Sequence, residues 1–217
     1  MSMADPSLQH PAVFSLGWWD QLAPLVQAAM VLVTGFIAVR GLNAWRAQLV
    51  DKRKAELAEE VLIGFYEARD AFVWARSRGM FGSEGESRVA ISGESDAVRR
   101  ARNLYFVPIE RLAREKELFA KLSVRRYAFR AYFGEAAVKP FETLADAHHQ
   151  IMSSASVLIQ SVLPGSNNDI TLIGVDEVLD TLGWGRRGRP DSLDQSIDEA
   201  IRQIESVCKP VLEGKRS

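Results

Sequence analysis

The sequence predicts an all-α protein: one N-terminal transmembrane helix that continues into an antiparallel cytoplasmic bundle of about four helices. Three observations carry this. Residues 21–39 form an uncharged apolar run bounded by Asp20 and Arg40. Beyond it, apolar residues recur at three- and four-residue steps almost to the end of the chain. The only run that reads as strand is a weak "ITLIGV" at 170–175. The expected organisation is a short extracytoplasmic N-terminus (1–19), a membrane span (20–40) and a helical cytoplasmic part (41–217), with loops at 79–93 and 164–190.

The nineteen residues of the apolar run would cover roughly 28 Å as a helix, about the hydrocarbon thickness of a bilayer. Leu25, Val26, Ala29, Met30, Val31, Leu32, Val33, Phe36, Ile37 and Val39 go all the way round the helix, as in lipid or in a deep core. Gln27 and Thr34 are the polar interruptions, and Thr34 can bond its own backbone. The flanks favour lipid. Trp18 and Trp19 stand at one edge and Trp45 just past the other, where amphipathic rings suit the headgroup zone. No Lys or Arg precedes the run, whereas Arg40, Arg46, Lys52, Arg53 and Lys54 follow it. That bias puts the N-terminus outside and everything after Arg40 in the cytoplasm, with these eight residues as interface anchors. A buried core helix or a cleaved signal peptide fits less well. The latter would need a basic n-region and a small-residue cleavage site, where this chain has "VRGLNAW".

No Pro or Gly interrupts residues 42–63, and "DKRKAELAEE" is made of strong helix formers. One helix from about 20 to 77 is therefore expected, ending at the glycine-rich "RSRGMFGSEGES", read as a mobile loop. A second helix should run from Ser95 to Phe133, kinked or broken at Pro108 and closed by Gly134. A third, "PFETLADAHHQIMSSASVLIQSVL", has Pro140 in its first turn. A short helix around "DEVLDTL" precedes the last one, which starts near Ser192 as N-cap and carries Leu193, Ile197, Ile201, Ile204, Val207, Cys208 and Val211 on one stripe.

Motifs for chemistry are sparse. "GWGRRG" at 183–188 spells a dinucleotide-loop string, but no βαβ unit surrounds it, so a basic connector is the better reading. Glu142, Asp146 and His149 share one helix face, half of a carboxylate–histidine metal pattern. The other half is missing, since the chain's third histidine is His10. "FGSEG" lacks the first glycine of a nucleophile elbow. The single cysteine, Cys208, excludes an intrachain disulfide and sits on an apolar stripe. No cofactor and no catalytic or metal-ligating residue is assigned.

Charge is distributed more tellingly. Residues 99–130 hold ten Lys/Arg against three Glu, and residues 131–181 hold seven acids against Lys139 alone. The ordinary reading is pairing between neighbouring helices. The sharper reading sets Arg99, Arg100, Arg102, Arg111, Arg114, Arg125, Arg126 and Arg130 against anionic headgroups, and nucleic acid comes third.

"EVLIGFYEARDAF", "ERLAREKELFAKLSVRRYAFRAYFG" and "PFETL", after an apolar span with a basic exit, resemble a group of small bacterial single-pass inner-membrane proteins. The resemblance covers roughly residues 20–162 and implies an inner-membrane setting with a helical cytoplasmic domain. That group has no assigned activity, so no functional residue follows from it. The expected role is a membrane-anchored interaction or scaffold module, associating through its juxtamembrane helix with a copy of itself or a protein partner. The alternative is a tethered sensor or enzyme with its site in the bundle or the 164–190 loop.

Overall fold

The computed structural model describes residues 19–162, 175–185 and 191–214, and these are helical with short connections. Six α-helices are found there: α1 (Trp19–Arg76), α2 (Asp96–Arg114), α3 (Lys116–Phe133), α4 (Lys139–Ser161), α5 (Val175–Thr181) and α6 (Ser192–Leu212), with a 3₁₀ turn at Glu135–Val138 before α4. No strand occurs among the described residues. The "ITLIGV" segment lies outside them except for Val175, which opens α5. The chain divides into two units, Met1–Asp51 and Lys52–Ser217.

In the first unit α1 runs without interruption through Gly35 and Gly41, as part of the single helix expected from about 20 to 77. Neither glycine has an atom within 4 Å of where a Cβ would stand. From Leu25 to Val39 the large apolar side chains are exposed on every face, Leu32 by 74%. Thr34 donates to the Met30 carbonyl at 2.8 Å, satisfying its hydroxyl within the helix. This is the one helix among the described residues long and apolar enough to cross a membrane.

In the second unit the apolar residues of α1 narrow to one stripe. Ala58, Val61, Leu62, Phe65, Ala68, Phe72 and Ala75 are buried, at the three- and four-residue steps that put side chains on one helix face. They pack into a core with Leu112, Leu122, Phe129, Phe141, Leu144, Ile151, Leu158, Ile197 and Ile204. Phe141 is its hub, 4.9 Å edge-on to Phe65 and 5.4 Å from Phe129 between ring centroids. Burying each such ring contributes about 1.5–3 kcal/mol. Gly64 lets α3 come close: a Cβ there would stand 2.8 Å from Cδ2 of Leu122.

Two boundaries differ from expectation. Pro108 does not end its helix; it lies inside α2 with its ring fully buried, and that packing offsets the hydrogen bond its nitrogen cannot make. The chain breaks instead at Glu115 (φ −94°, ψ 14°), which separates α2 from α3 by a single residue. At α6 the N-cap is Asp191, one residue earlier than expected. Its carboxylate accepts from the Leu193 and Asp194 amides at 3.1 and 3.0 Å. Gly134 closes α3 in the positive-φ region (φ 89°), its N–H donating to the Arg130 carbonyl.

Candidate functional site

An α-helix ends with carbonyls that have no partner in the helix and with the negative end of its dipole. Among the described residues three of those ends receive a buried guanidinium. Arg111 of α2 lies at the C-terminal end of α1. Its Nη1 donates to the carbonyls of Trp74 (2.9 Å) and Ser77 (3.0 Å) and to the Ser77 hydroxyl (2.7 Å), and its Nη2 to the Gly79 carbonyl (3.1 Å). The plane rests 4.2 Å from the Trp74 ring centroid. Its charge is met by Glu84, which accepts from Nε at 3.0 Å and from Nη2 at 2.6 Å in a two-pronged pair. Hydrogen bonding from Arg111 holds the Glu84 carboxyl below its ordinary range, against the opposing effect of burial.

Arg102 does the same for α4. Its Nη2 donates to the Val162 carbonyl at 2.7 Å, and its Nη1 to Glu94 at 2.6 Å. Glu94 also accepts from Arg88 at 2.7 Å, and these two guanidiniums, Arg88 first, draw its pKa down to about 2. Arg76, the last residue of α1, serves α5: it donates to the Thr181 carbonyl at 2.8 Å and to that of Asp180 at 3.3 Å, while Asp191 and Asp194 pair with its charge. The indole of Trp184 returns a bond to the Arg76 carbonyl at 3.0 Å. These centres bind helix ends to one another, although Nε of Arg102 is buried without a hydrogen-bond partner among the described residues.

The basic stretch is therefore two populations. Arg102 and Arg111 are buried, which corrects the expectation that they face outward as surface contacts. The cause is local: their carboxylates, Glu84 and Glu94, come from the glycine-rich connection between α1 and α2. That connection is a series of turns anchored by these pairs and by the Gly85 amide donating to Glu110. Arg99, Arg100, Arg114 and Arg130 are exposed, and Arg125 and Arg126 are half-buried. Arg125 pairs with Glu60 (2.9 Å), Arg114 with Glu110 (2.8 Å), and Arg99 and Arg130 more loosely with Asp96 and Glu135. Among the described residues none of these partners lies on α4 or α6, where the charge pattern pointed.

Of the residues read as interface anchors, Arg40, Trp45, Arg46, Lys52 and Arg53 are exposed along α1. Lys54 is half-buried, its ammonium 5.8 Å from the Phe133 ring centroid. Trp18 lies outside the described residues, and Trp19 is the first residue of α1. Glu142, Asp146 and His149 are all exposed on α4, and no group of three metal-ligating side chains forms among the described residues. Of "GWGRRG", Arg186–Gly188 fall outside the description; Trp184 and Gly185 offer their carbonyls to Arg78. Cys208 is fully buried, and burial pushes its thiol up to about 12.

A cavity of about 180 Å³ opens between α3 and α4, lined by Phe119, Leu122, Ser123, Arg126, Phe141, Leu144, Ala145 and His148. His148 stands edge-on to Phe119, with ring centroids 4.7 Å apart. Burial, then the neighbouring His149, keeps its imidazole more readily neutral than a free one. The sequence places Arg126 in a basic stretch, and of the other polar or small lining residues, His148, Ser123 and Ala145, none is singled out by it. The available signal was two small residues at facing helix positions among large apolar ones. No protein-family model, no curated protein and no solved structure matches the chain.

Proposed function

We propose that this chain is a single-pass membrane protein with its N-terminus outside and a helical cytoplasmic domain that acts as an interaction or scaffold module. The observation that carries the anchor is the first part of α1, where apolar side chains are exposed around the whole circumference between Leu25 and Val39. Leaving such a surface in water is costly, and a bilayer removes the cost. The five Lys/Arg that follow, against none before, support the orientation.

An antiparallel bundle suits the contacts of the second unit. Residue 102 meets residue 162, and residue 119 meets residue 148, so the numbering along α2–α3 runs against that along α4. An interaction role is favoured because the buried arginines are committed to helix ends, leaving the surfaces as the variable chemistry. Leu42, Trp45 and Leu49 form an exposed stripe just beyond the span, suited to a second copy or a protein partner along the juxtamembrane helix. A tethered sensor or enzyme is the second reading, and it rests on the cavity beside His148.

Reporter fusions after Ser217 test the topology. A cytoplasm-active fluorescent protein should give full signal there, and an export-dependent phosphatase none; the reverse pattern overturns the orientation. Release of the full chain from membranes by alkaline carbonate would remove the anchor itself. Cross-linking in intact membranes, followed by identification of what co-purifies, tests the scaffold role. The exposed arginines should bring a lipid contribution only at low salt, read as binding of the full chain's cytoplasmic face to anionic over neutral vesicles.

A further inference from the structure

The cavity between α3 and α4 has a divided chemistry. Its apolar wall is Phe119, Leu122, Phe141 and Leu144, of which the last three are buried. Its polar members are Ser123, Arg126 and His148, and no carboxylate lines it. Ser123 and Ala145, one from each helix, are small and exposed, so nothing bulky closes the opening at those positions. A large side chain at either place would plug it.

Arg126 is the residue that gives the cavity a preference. Its neighbours in the stretch, Arg125, Arg130, Arg114 and Arg111, are paired with carboxylates. Arg126 is half-buried, and its one interaction among the described residues is with the Tyr127 ring, 5.3 Å from guanidinium to centroid. A guanidinium held against an aromatic face keeps its in-plane donors free for a planar anion. The volume sets the size, since a cavity of about 150 Å³ with apolar walls accepts one benzene ring.

We propose that this cavity is a binding site for a small carboxylic acid with an aromatic or branched aliphatic body. The body packs between Phe119, Leu122, Phe141 and Leu144, and the carboxylate meets Arg126 with Ser123 at the rim. The imidazole of His148, beside Phe119, forms the wall between the two regions. Few convergent polar groups over an apolar floor is the usual make-up of a small-ligand site. The site lies wholly within the second unit and does not depend on the chain crossing a membrane.

The test uses the full chain in detergent micelles, with 4-fluorobenzoate as the probe and 4-fluorobenzyl alcohol as its uncharged counterpart, both followed by fluorine NMR. Protein-free micelles correct for partitioning. The expected result is saturable binding of the acid, at least tenfold tighter than that of the alcohol. Arg126→Gln should weaken the acid about tenfold and leave the alcohol unchanged. Ala145→Trp should abolish binding of both while the circular dichroism and melting temperature stay near those of the parent. Absence of saturable binding up to millimolar acid overturns the proposal, as does equal affinity for acid and alcohol. Should Ala145→Trp fail to fold, Arg126→Gln, a change at a half-exposed position, decides alone: unchanged affinity for the acid ends the proposal.

Discussion

Arg111 donates to the main-chain carbonyl of Trp74 at 2.9 Å while its guanidinium lies 4.2 Å from the centroid of the same residue's indole. One side chain thus satisfies a carbonyl at the end of α1 and lies over the ring beside it, and the Phe81 ring stacks with that indole at 5.5 Å between centroids. The arrangement needs a delocalised, planar cation with several donors, which lysine cannot supply.

Replacing Arg111 should therefore be among the most damaging single changes in the second unit. Arg111→Met leaves Glu84 charged and buried and sets an apolar neighbour against the carbonyls of Trp74, Ser77 and Gly79 at and just beyond the α1 end. The expected loss is about 3–5 kcal/mol. Arg111→Lys should be only slightly better, because one ammonium cannot reach both Glu84 and the carbonyls. Glu84→Gln, which keeps a hydrogen-bonding group, should cost less than either. Urea unfolding of the full chain in detergent, followed by tryptophan fluorescence, measures all three.

Acid should attack the same kind of centre at Glu94. Its pKa falls from an ordinary 4.5 to about 2 in the folded protein, through hydrogen bonds from Arg88 and Arg102. A group whose folded value is depressed contributes stability that is complete above its unfolded value and is lost as pH falls through the folded one. The contribution of Glu94 is thus constant from neutrality to about pH 5, then declines between 4.5 and 2. The urea midpoint of the parent should fall more steeply over that window than that of Glu94→Gln, and the two curves should converge at its acid end. Parallel curves would remove Glu94 from the acid transition.

Glycine-to-alanine changes in the α1–α2 connection should separate two effects. Gly79 and Gly85 both sit at positive φ, 101° and 79°. At Gly79 a Cβ meets nothing within 4 Å, so only the conformational penalty applies, about 1–2 kcal/mol. At Gly85 the Cβ would also run into the main-chain carbonyl of Asn103, which cannot swing aside like a side chain. Gly85→Ala should lower the melting temperature several times more than Gly79→Ala. Equal shifts would mean that the connection moves freely over α2.

That connection also marks where sequence reading stopped. The helices of the second unit were legible because Val61, Phe65, Phe72, Ile151, Leu158, Ile197 and Ile204 repeat with a helical period and are buried accordingly. "GMFGSEGES" reads as a mobile loop because its glycines are visible, whereas the bonds of Glu84 and Glu94 span 27 and 8 positions and leave no local trace. The same holds for Pro108, whose buried surroundings come from other helices, and for the cavity, whose walls come from α3 and α4 together. Periodicity reports which face of a helix is buried. It does not report which charge will be found under that face.

Cys208 gives a direct measure of how firmly α6 holds its place. The thiol is fully enclosed, and burial pushes its pKa up to about 12, so at pH 8 the reactive thiolate is nearly absent and the sulfur is out of a reagent's reach. Maleimide should label the native full chain very slowly, at a rate set by opening of α6, and stoichiometrically within minutes in strong urea. The helix is held from its exposed side by Asp198 with Arg69 at 3.0 Å and by Glu205 with the Tyr66 hydroxyl at 2.5 Å, both on α1. These are exposed bonds, each worth on the order of 1 kcal/mol or less. Tyr66→Phe and Arg69→Ala should therefore raise the labelling rate only a few-fold, whereas Ile204→Ala, which opens the core beside the cysteine's own stripe, should raise it by a hundredfold or more for a loss of about 3 kcal/mol. Rapid labelling of the unaltered chain in native buffer would show that α6 leaves the core readily, and the order of the three variants would then carry no meaning.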